Sequence, residues 1–144
     1  MIFTLSIECV RGAYLQERFS CLAEVSSDMT LDELHIFIQE LAEFDDDHLS
    51  TFYIANSTRG KKIWFTDTGE FDEEQDESMW DISLKQIFPM GPRNKLYYWF
   101  DFGDDWIFEI REKGKETTPL PGMAYPRLIH REGPTPTQYP NFEE

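Results

Sequence analysis

The sequence has few of the residues on which nucleic-acid sites and metal centres depend. Its 144 residues include 13 lysines and arginines, 3 histidines and 2 cysteines, against 28 aspartates and glutamates. The formal charge of −15 repels a phosphate backbone, so direct binding to DNA or RNA is not expected. The best basic strip, Arg59 with Lys61 and Lys62, is short and typical of a solvated turn.

The two cysteines are not arranged for a metal or redox centre. Cys9 and Cys21 form no CxxC pair, and each falls among alternating apolar residues. That pattern is typical of a small residue on a strand that faces a core. We interpret both as core residues, which fits a cytoplasmic location.

Long hydrophobic runs are also missing. No apolar stretch approaches the roughly 18 to 20 residues that cross a bilayer, so no membrane interaction is expected. The N-terminal stretch "MIFTLSIECV" alternates, carries Glu8 and has neither a basic leader nor a small-residue cleavage site. It predicts a first strand rather than a signal peptide, and the expected location is the cytoplasm.

The periodicity of the remaining residues predicts the main elements. Alternation predicts strands over about 2–10 and 17–25, joined as a hairpin. Thr30 and Glu33 have the spacing of a capping box, and the apolar residues after them predict an amphipathic helix. These apolar residues are Leu31, Leu34, Ile38 and Leu41.

Weaker patterns fill the middle of the chain. "STFYIA" and "KIWFT" predict short strands, and "WDISLKQIF" predicts a short helix that ends before Pro89. Between them, "GEFDEEQDESMWD" predicts a solvated acidic loop, because its spacing does not match that of a calcium-binding loop.

Together these elements predict an α+β fold for residues 1–118. We expect a mixed or antiparallel sheet of five or six strands that opens ββα, like a β-grasp, with one long helix packed on it and an aromatic C-terminal hairpin. Residues 119–144 are predicted to be a proline-rich extension that packs in part on this single domain.

The hairpin is predicted from "YYWFDFGDDWIFEI", residues 97–110, which holds seven aromatic side chains and four carboxylates. A two-residue turn at Gly103 and Asp104 sets Asp101 opposite Trp106. A carboxylate among aromatic rings must be paired or protonated.

We expect the partner of Asp101 to come from the C-terminal segment "YPRLIHR". Its cationic candidates are Arg127 and His130. Either pairing predicts that this segment folds back over the hairpin.

Three motifs carry a resemblance to a known family. "TLDELHIFIQELAEFDDDHLSTFYI" and the hairpin stretch are similar to plasmid pRiA4b ORF-3-like proteins, whose pattern pairs a TLxxLHxxIQ helix and an HLxxF segment with a YxYDFGDxWxH hairpin. The resemblance spans roughly residues 28 to 111. The matching residues are Leu34, His35, Ile38, Gln39, His48, Leu49, Phe52, Asp101, Phe102, Gly103, Asp104 and Trp106.

The resemblance implies candidate residues but no defined chemistry, since the family's members are mostly uncharacterised proteins of microbes and mobile genetic elements. Carried over from the motifs, the candidate binding residues are His35, His48, Asp101, Asp104 and Trp106. The candidate structural residues are Thr30, Glu33, Gly103 and Arg127. The chain departs from the family at Phe108, where the pattern has histidine, and lacks the family's C-terminal cysteine.

The function that these patterns favour is non-catalytic binding of a protein partner, through the aromatic hairpin surface or an edge strand. Two alternatives stay open: an acidic decoy that mimics DNA for a basic partner, and a metal-dependent enzyme that uses histidines and aspartates. The histidines form no HxH or HxxxH pair and the chain has no GxSxG motif. We therefore expect no metal and no cofactor.

Overall fold

The computed structural model describes residues 1–64, 79–91 and 93–139, and the statements below concern these residues. The strands are β1 (Ile2–Arg11), β2 (Phe19–Ser26), β3 (Ser50–Ala55), β4 (Ile63–Trp64), β5 (Lys95–Phe100), β6 (Trp106–Glu112) and β7 (Arg127–Glu132). The helix α1 spans Leu31–Ala42, and a short 3-10 helix spans Leu84–Gln86. Most of the predicted acidic loop, and the end of the predicted "KIWFT" strand, lie outside the described residues.

The strands form one sheet of seven, in the order β4-β3-β5-β6-β1-β2-β7. Every neighbouring pair is antiparallel. The hairpin β5–β6 lies in the middle of the sheet, between β3 and β1. In the described chain, no helix is long and apolar enough to cross a membrane.

The predicted fold class is wrong. The chain is mostly a seven-stranded antiparallel sheet with one twelve-residue helix, not a β-grasp with a long helix packed on five or six strands. One added strand, β7, comes from residues 119–144, which were expected to be an extension, and it pairs with β2. Local periodicity misses this pairing because about a hundred residues separate the two strands.

Alternating side chains divide between the two faces of the sheet. The first face carries the larger core, to which β1, β2, β5 and β6 contribute alternate buried residues and α1 contributes its apolar side. Cys9 and Cys21 are buried there as free thiols. The second face carries a smaller buried cluster of Tyr53, Ala55, Tyr97 and Ile107.

The helix begins where its sequence pattern predicts. The hydroxyl of Thr30 accepts a hydrogen bond from the amide of Glu33, and the Glu33 carboxylate accepts one from the amide of Thr30. At the other end Glu43 turns left-handed with φ of 56°. By contrast, the helix predicted in "WDISLKQIF" is only one 3-10 turn, Leu84–Gln86, which ends before Pro89.

The predicted register of the hairpin is wrong by one residue. Phe100, not Asp101, lies opposite Trp106. The loop runs over residues 101–105 and has left-handed residues at both ends, Asp101 with φ of 53° and Asp105 with φ of 59°. Because a one-residue slip exchanges faces, Trp106 joins the first face while Ile107 joins the second.

Candidate functional site

The hairpin loop is organised around Asp101, which is 7% exposed. Its amide donates to the carbonyl of Leu49 at 2.9 Å, and its carbonyl accepts from the amide of Asp105 at 2.6 Å. Its Oδ1 accepts from the amide of Asp104 at 3.3 Å. These contacts tie the first residue of the loop to the segment that precedes β3 and join the two ends of the loop to each other.

The other carboxylate oxygen of Asp101 faces His48, with Oδ2 3.4 Å from Nε2. The same Nε2 lies 2.8 Å from the hydroxyl of Tyr139, which donates to Asp47 Oδ2 at 2.8 Å. Because the Tyr139 hydroxyl donates its proton to Asp47, it accepts a hydrogen bond from the Nε2–H of His48. We call Asp47, His48, Asp101, Asp104 and Tyr139 the His48 cluster.

Burial and neighbouring carboxylates raise the pKa values of two groups in the His48 cluster, Asp104 and Tyr139. Burial and the neighbouring carboxylate of Asp101 raise the pKa of Asp104, and His48 lowers it in part. Burial and the carboxylate of Asp47 raise the pKa of Tyr139 to about 12. The cluster thus holds a neutral phenol between a histidine and an aspartate near neutral pH.

The C-terminal segment reaches this cluster through Gln138, which is buried. Its Oε1 accepts from the amide of Asp45 at 2.6 Å, and its Nε2 donates to the carbonyl of Asp45 at 3.0 Å. These two bonds hold the segment against the loop after α1, next to His48.

The predicted pairing of Asp101 with Arg127 or His130 is wrong. Arg127 Nε bonds to Glu24 Oε1 at 2.6 Å, and His130 Nε2 lies 3.4 Å from Glu132. Both residues belong to β7, which is three places from β6 in the sheet. That separation is about 14 Å at the usual strand spacing, too far for an ion pair.

The other motif histidine, His35, lies in a buried hydrogen-bond chain. The side-chain Nε2 of Gln39 donates to the Tyr98 hydroxyl at 2.8 Å, and this hydroxyl lies 2.5 Å from His35 Nδ1. His35 Nε2 lies 2.8 Å from Asp46 Oδ2. If His35 Nδ1 accepts and Nε2 donates, these hydrogen bonds link α1, β5 and the loop that follows α1. The role of His35 in this arrangement is structural.

Trp106 packs beneath the hairpin loop rather than into solvent. It is fully buried, and its ring lies 4.9 Å from that of Phe44. A Cβ at Gly12 would stand 2.1 Å from the Trp106 ring, so only glycine fits there. Gly103 has no such constraint, since a Cβ there would meet only Asp101 Oδ1, at 3.6 Å.

A row of aromatic rings on the second face was not predicted. Tyr53 lies 5.5 Å from Trp64 and 6.4 Å from Trp99, and Trp99 lies 4.4 Å from Phe102. Trp64 and Phe102 are 42% and 44% exposed. We call these four residues the aromatic face.

A groove that presents three cations adjoins the aromatic face. We call it the basic groove, and it is lined by Arg11, Thr58, Arg59, Lys62, Trp99, Asp105 and Ile107. Arg11 Nε pairs with Asp105 Oδ2 at 2.5 Å, while the ammonium of Lys62 stands 5.2 Å over the Tyr53 ring. In the sequence, Arg59 and Lys62 have the pattern of a solvated turn, because the groove forms only when β1, β3, β5 and β6 are adjacent.

The sequence profile of plasmid pRiA4b ORF-3-like proteins matches residues 22–138. The chain belongs to this family. A crystal structure of a protein of unknown function from Methanosarcina mazei Go1 has a similar fold, with a TM-score of 0.66 and 23% identity over 90% of this chain and 68% of that one. None of the curated proteins matches the chain.

The pRiA4b ORF-3-like motifs meet at one end of the molecule. The helix motif supplies His35 and Gln39 to Tyr98, and the HLxxF segment supplies His48 to Asp101. Phe108, where the family pattern has histidine, is fully buried beside Phe44 and Tyr98. In this family member the position belongs to the core.

The chemistry within reach of these residues is limited. Among the described residues, no group of three or more histidines, cysteines or carboxylates is arranged to hold a metal ion. Burial raises the pKa of the Cys9 thiol to about 12, and burial also raises the pKa of Cys21, so neither is a ready nucleophile. His48 is held by Tyr139 and Asp101, which suits positioning of the loop.

Proposed function

We propose that this pRiA4b ORF-3-like chain is a non-catalytic binding module that receives a protein partner on its aromatic face. The observation that carries the proposal is the unbroken row of Trp64, Tyr53, Trp99 and Phe102 on the sheet face opposite the larger core. Exposed aromatic rings supply large, rigid contact area and dominate many protein interfaces.

The burial of the row supports recognition rather than folding. Tyr53 is fully buried, so it anchors the row to the sheet, whereas Trp64 and Phe102 leave almost half of their surface in solvent. Single exposed apolar residues are common, but Trp64 and Phe102 are the exposed ends of one run of contacting rings, which favours an interaction site. The row therefore has a buried centre and two accessible ends.

In this proposal the His48 cluster has a positioning role. Asp101 holds the loop that carries Phe102. His48 contacts Asp101 on one side and Tyr139 of the C-terminal segment on the other. The shared family motifs would then preserve the presentation of the hairpin loop, with no reaction at the histidine.

The test compares partners captured from the native host by three tagged forms of the chain: wild type, the pair Trp64→Ala with Phe102→Ala, and a control pair. The control pair is Ile36→Ala with Leu120→Ala, two exposed apolar side chains that belong neither to the aromatic face nor to the basic groove. Quantitative mass spectrometry should find a protein that is captured by wild type and control but lost with the aromatic-face pair. Retention of every captured protein by that pair would contradict the proposal.

The acidic decoy is distinguished by salt. A decoy that uses the charge of −15 should lose its basic partner steeply as ionic strength rises. Contact through aromatic rings should weaken only slightly. Washing the captured complexes at two salt concentrations separates the two functions.

A further inference from the structure

We infer that the basic groove binds an acidic segment of the partner, in which an aspartate or glutamate lies next to an apolar residue. The inference rests on the proposed function, since the groove and the aromatic face share Trp99. A partner that covers the face therefore reaches the groove.

The charge of the groove is opposite to that of the chain. Three of the 13 lysines and arginines line it, together with a single carboxylate, Asp105. Because Arg11 is paired with Asp105, Arg59 and Lys62 remain to receive a negative group. Arg59 is exposed and makes no ion pair with any residue that the structure describes.

The remaining polar groups of the groove are mainly donors. The indole N–H of Trp99, which lines the groove, and the hydroxyl of Tyr53, whose ring lies under Lys62 beside the groove, are buried without a hydrogen-bond partner in the described part of the chain. Burial and the charge of Asp105 raise the pKa of Tyr53 to about 12, so its hydroxyl keeps its proton. Guanidinium, ammonium and N–H groups together favour a ligand rich in acceptors, such as a carboxylate.

Size and surroundings favour a peptide over a nucleotide. The groove has a volume of about 210 Å³, below the roughly 300–1,000 Å³ of small-molecule sites. That volume suits one or two side chains, and Trp99 with Ile107 provides an apolar wall beside the cations. A nucleic acid would bring a phosphate at every nucleotide toward a chain of net charge −15, whereas a peptide brings one or two carboxylates.

The experiment selects phage-displayed random dodecapeptides on the immobilised whole chain. Enriched peptides are synthesised with a fluorophore and titrated by anisotropy, alongside a twelve-nucleotide oligothymidylate. The enriched peptides should carry aspartate or glutamate within two positions of an aromatic or aliphatic residue. Replacing that carboxylate by its amide should raise Kd by about tenfold.

Two double variants with equal change in charge localise the site. Arg59→Glu with Lys62→Glu alters the groove, and Lys61→Glu with Arg93→Glu alters exposed cations outside it. The groove pair should raise Kd by about tenfold or more, and the control pair by less than about threefold. If the groove pair melts early, Arg59→Gln with Lys62→Gln should still raise Kd by about threefold.

Three results would overturn the inference: no enrichment of carboxylate peptides, an equal loss with both pairs, or groove-dependent binding of oligothymidylate without peptide binding. Its failure is distinct from failure of the proposed function. If the groove binds no acidic peptide, but Trp64→Ala with Phe102→Ala still loses a captured partner, the inference about the groove is wrong. The proposal that the aromatic face binds a protein is then still supported.

Discussion

Substitutions at Asp101 test whether this residue holds the hairpin loop by its backbone conformation and its local bonds. With φ of 53° it occupies the left-handed region, which asparagine and aspartate tolerate because their side chains bond locally. We expect Asn to be the mildest replacement, Gly intermediate and Ala the worst.

The magnitudes follow from what each replacement keeps. Asp101→Asn keeps the conformation and an acceptor for the Asp104 amide, and loses only the charge pairing with the partly exposed His48, about 0.5 kcal/mol. Asp101→Gly loses the hydrogen bond as well, for a total of about 1 kcal/mol. Asp101→Ala also places a Cβ at positive φ without local bonds, for about 2 kcal/mol.

The assay is urea unfolding followed by tryptophan fluorescence, with each midpoint compared at constant m-value. A double-mutant cycle adds the partner: Asp101→Asn should couple to His48→Gln by about 0.5 kcal/mol and be additive with Arg127→Ala, which pairs with Glu24. If Ala is tolerated as well as Gly, the conformational argument is wrong. If Arg127 couples and His48 does not, the assignment of the partner is wrong.

Three further predictions test the fold. Thr30→Ala should lower the free energy of unfolding by about 1 kcal/mol through loss of the helix cap, and an unchanged denaturant midpoint would contradict this. Gly12→Ala should cost about 1–3 kcal/mol because its Cβ meets the ring of Trp106, and an equally stable variant would show that the ring can move. Cys9 and Cys21 should react with a thiol reagent at pH 8 only after unfolding, since both are buried and their pKa values are raised; a native reaction would mean that a strand is misplaced.

Local elements were readable from the sequence because their determinants lie within a few residues. The alternation before Cys9 predicts β1, and the spacing of Thr30 and Glu33 predicts the start of α1. The aromatic stretch likewise predicts a hairpin. Its register was missed because the loop depends on left-handed conformations at Asp101 and Asp105, two residues for which sequence offers no strong turn signal.

The order of the strands and the candidate surfaces depend on contacts between distant segments. Motif resemblance drew attention to His48 and Asp101, which do meet, but not to Tyr139, which completes the cluster from the C-terminal segment. Arg11 and Arg59 are 48 residues apart and share a groove only through the order of the sheet. No periodicity within either segment carries that information.

Calorimetric titration of a purified captured partner at low and high salt tests whether the aromatic face receives a protein. We expect Trp64→Ala with Phe102→Ala to raise Kd by about tenfold, or about 1.4 kcal/mol, at both salt concentrations, and Ile36→Ala with Leu120→Ala to leave Kd unchanged. An equal Kd for wild type and the aromatic-face pair, with affinity that falls steeply as salt rises, would contradict the claim and favour an acidic decoy.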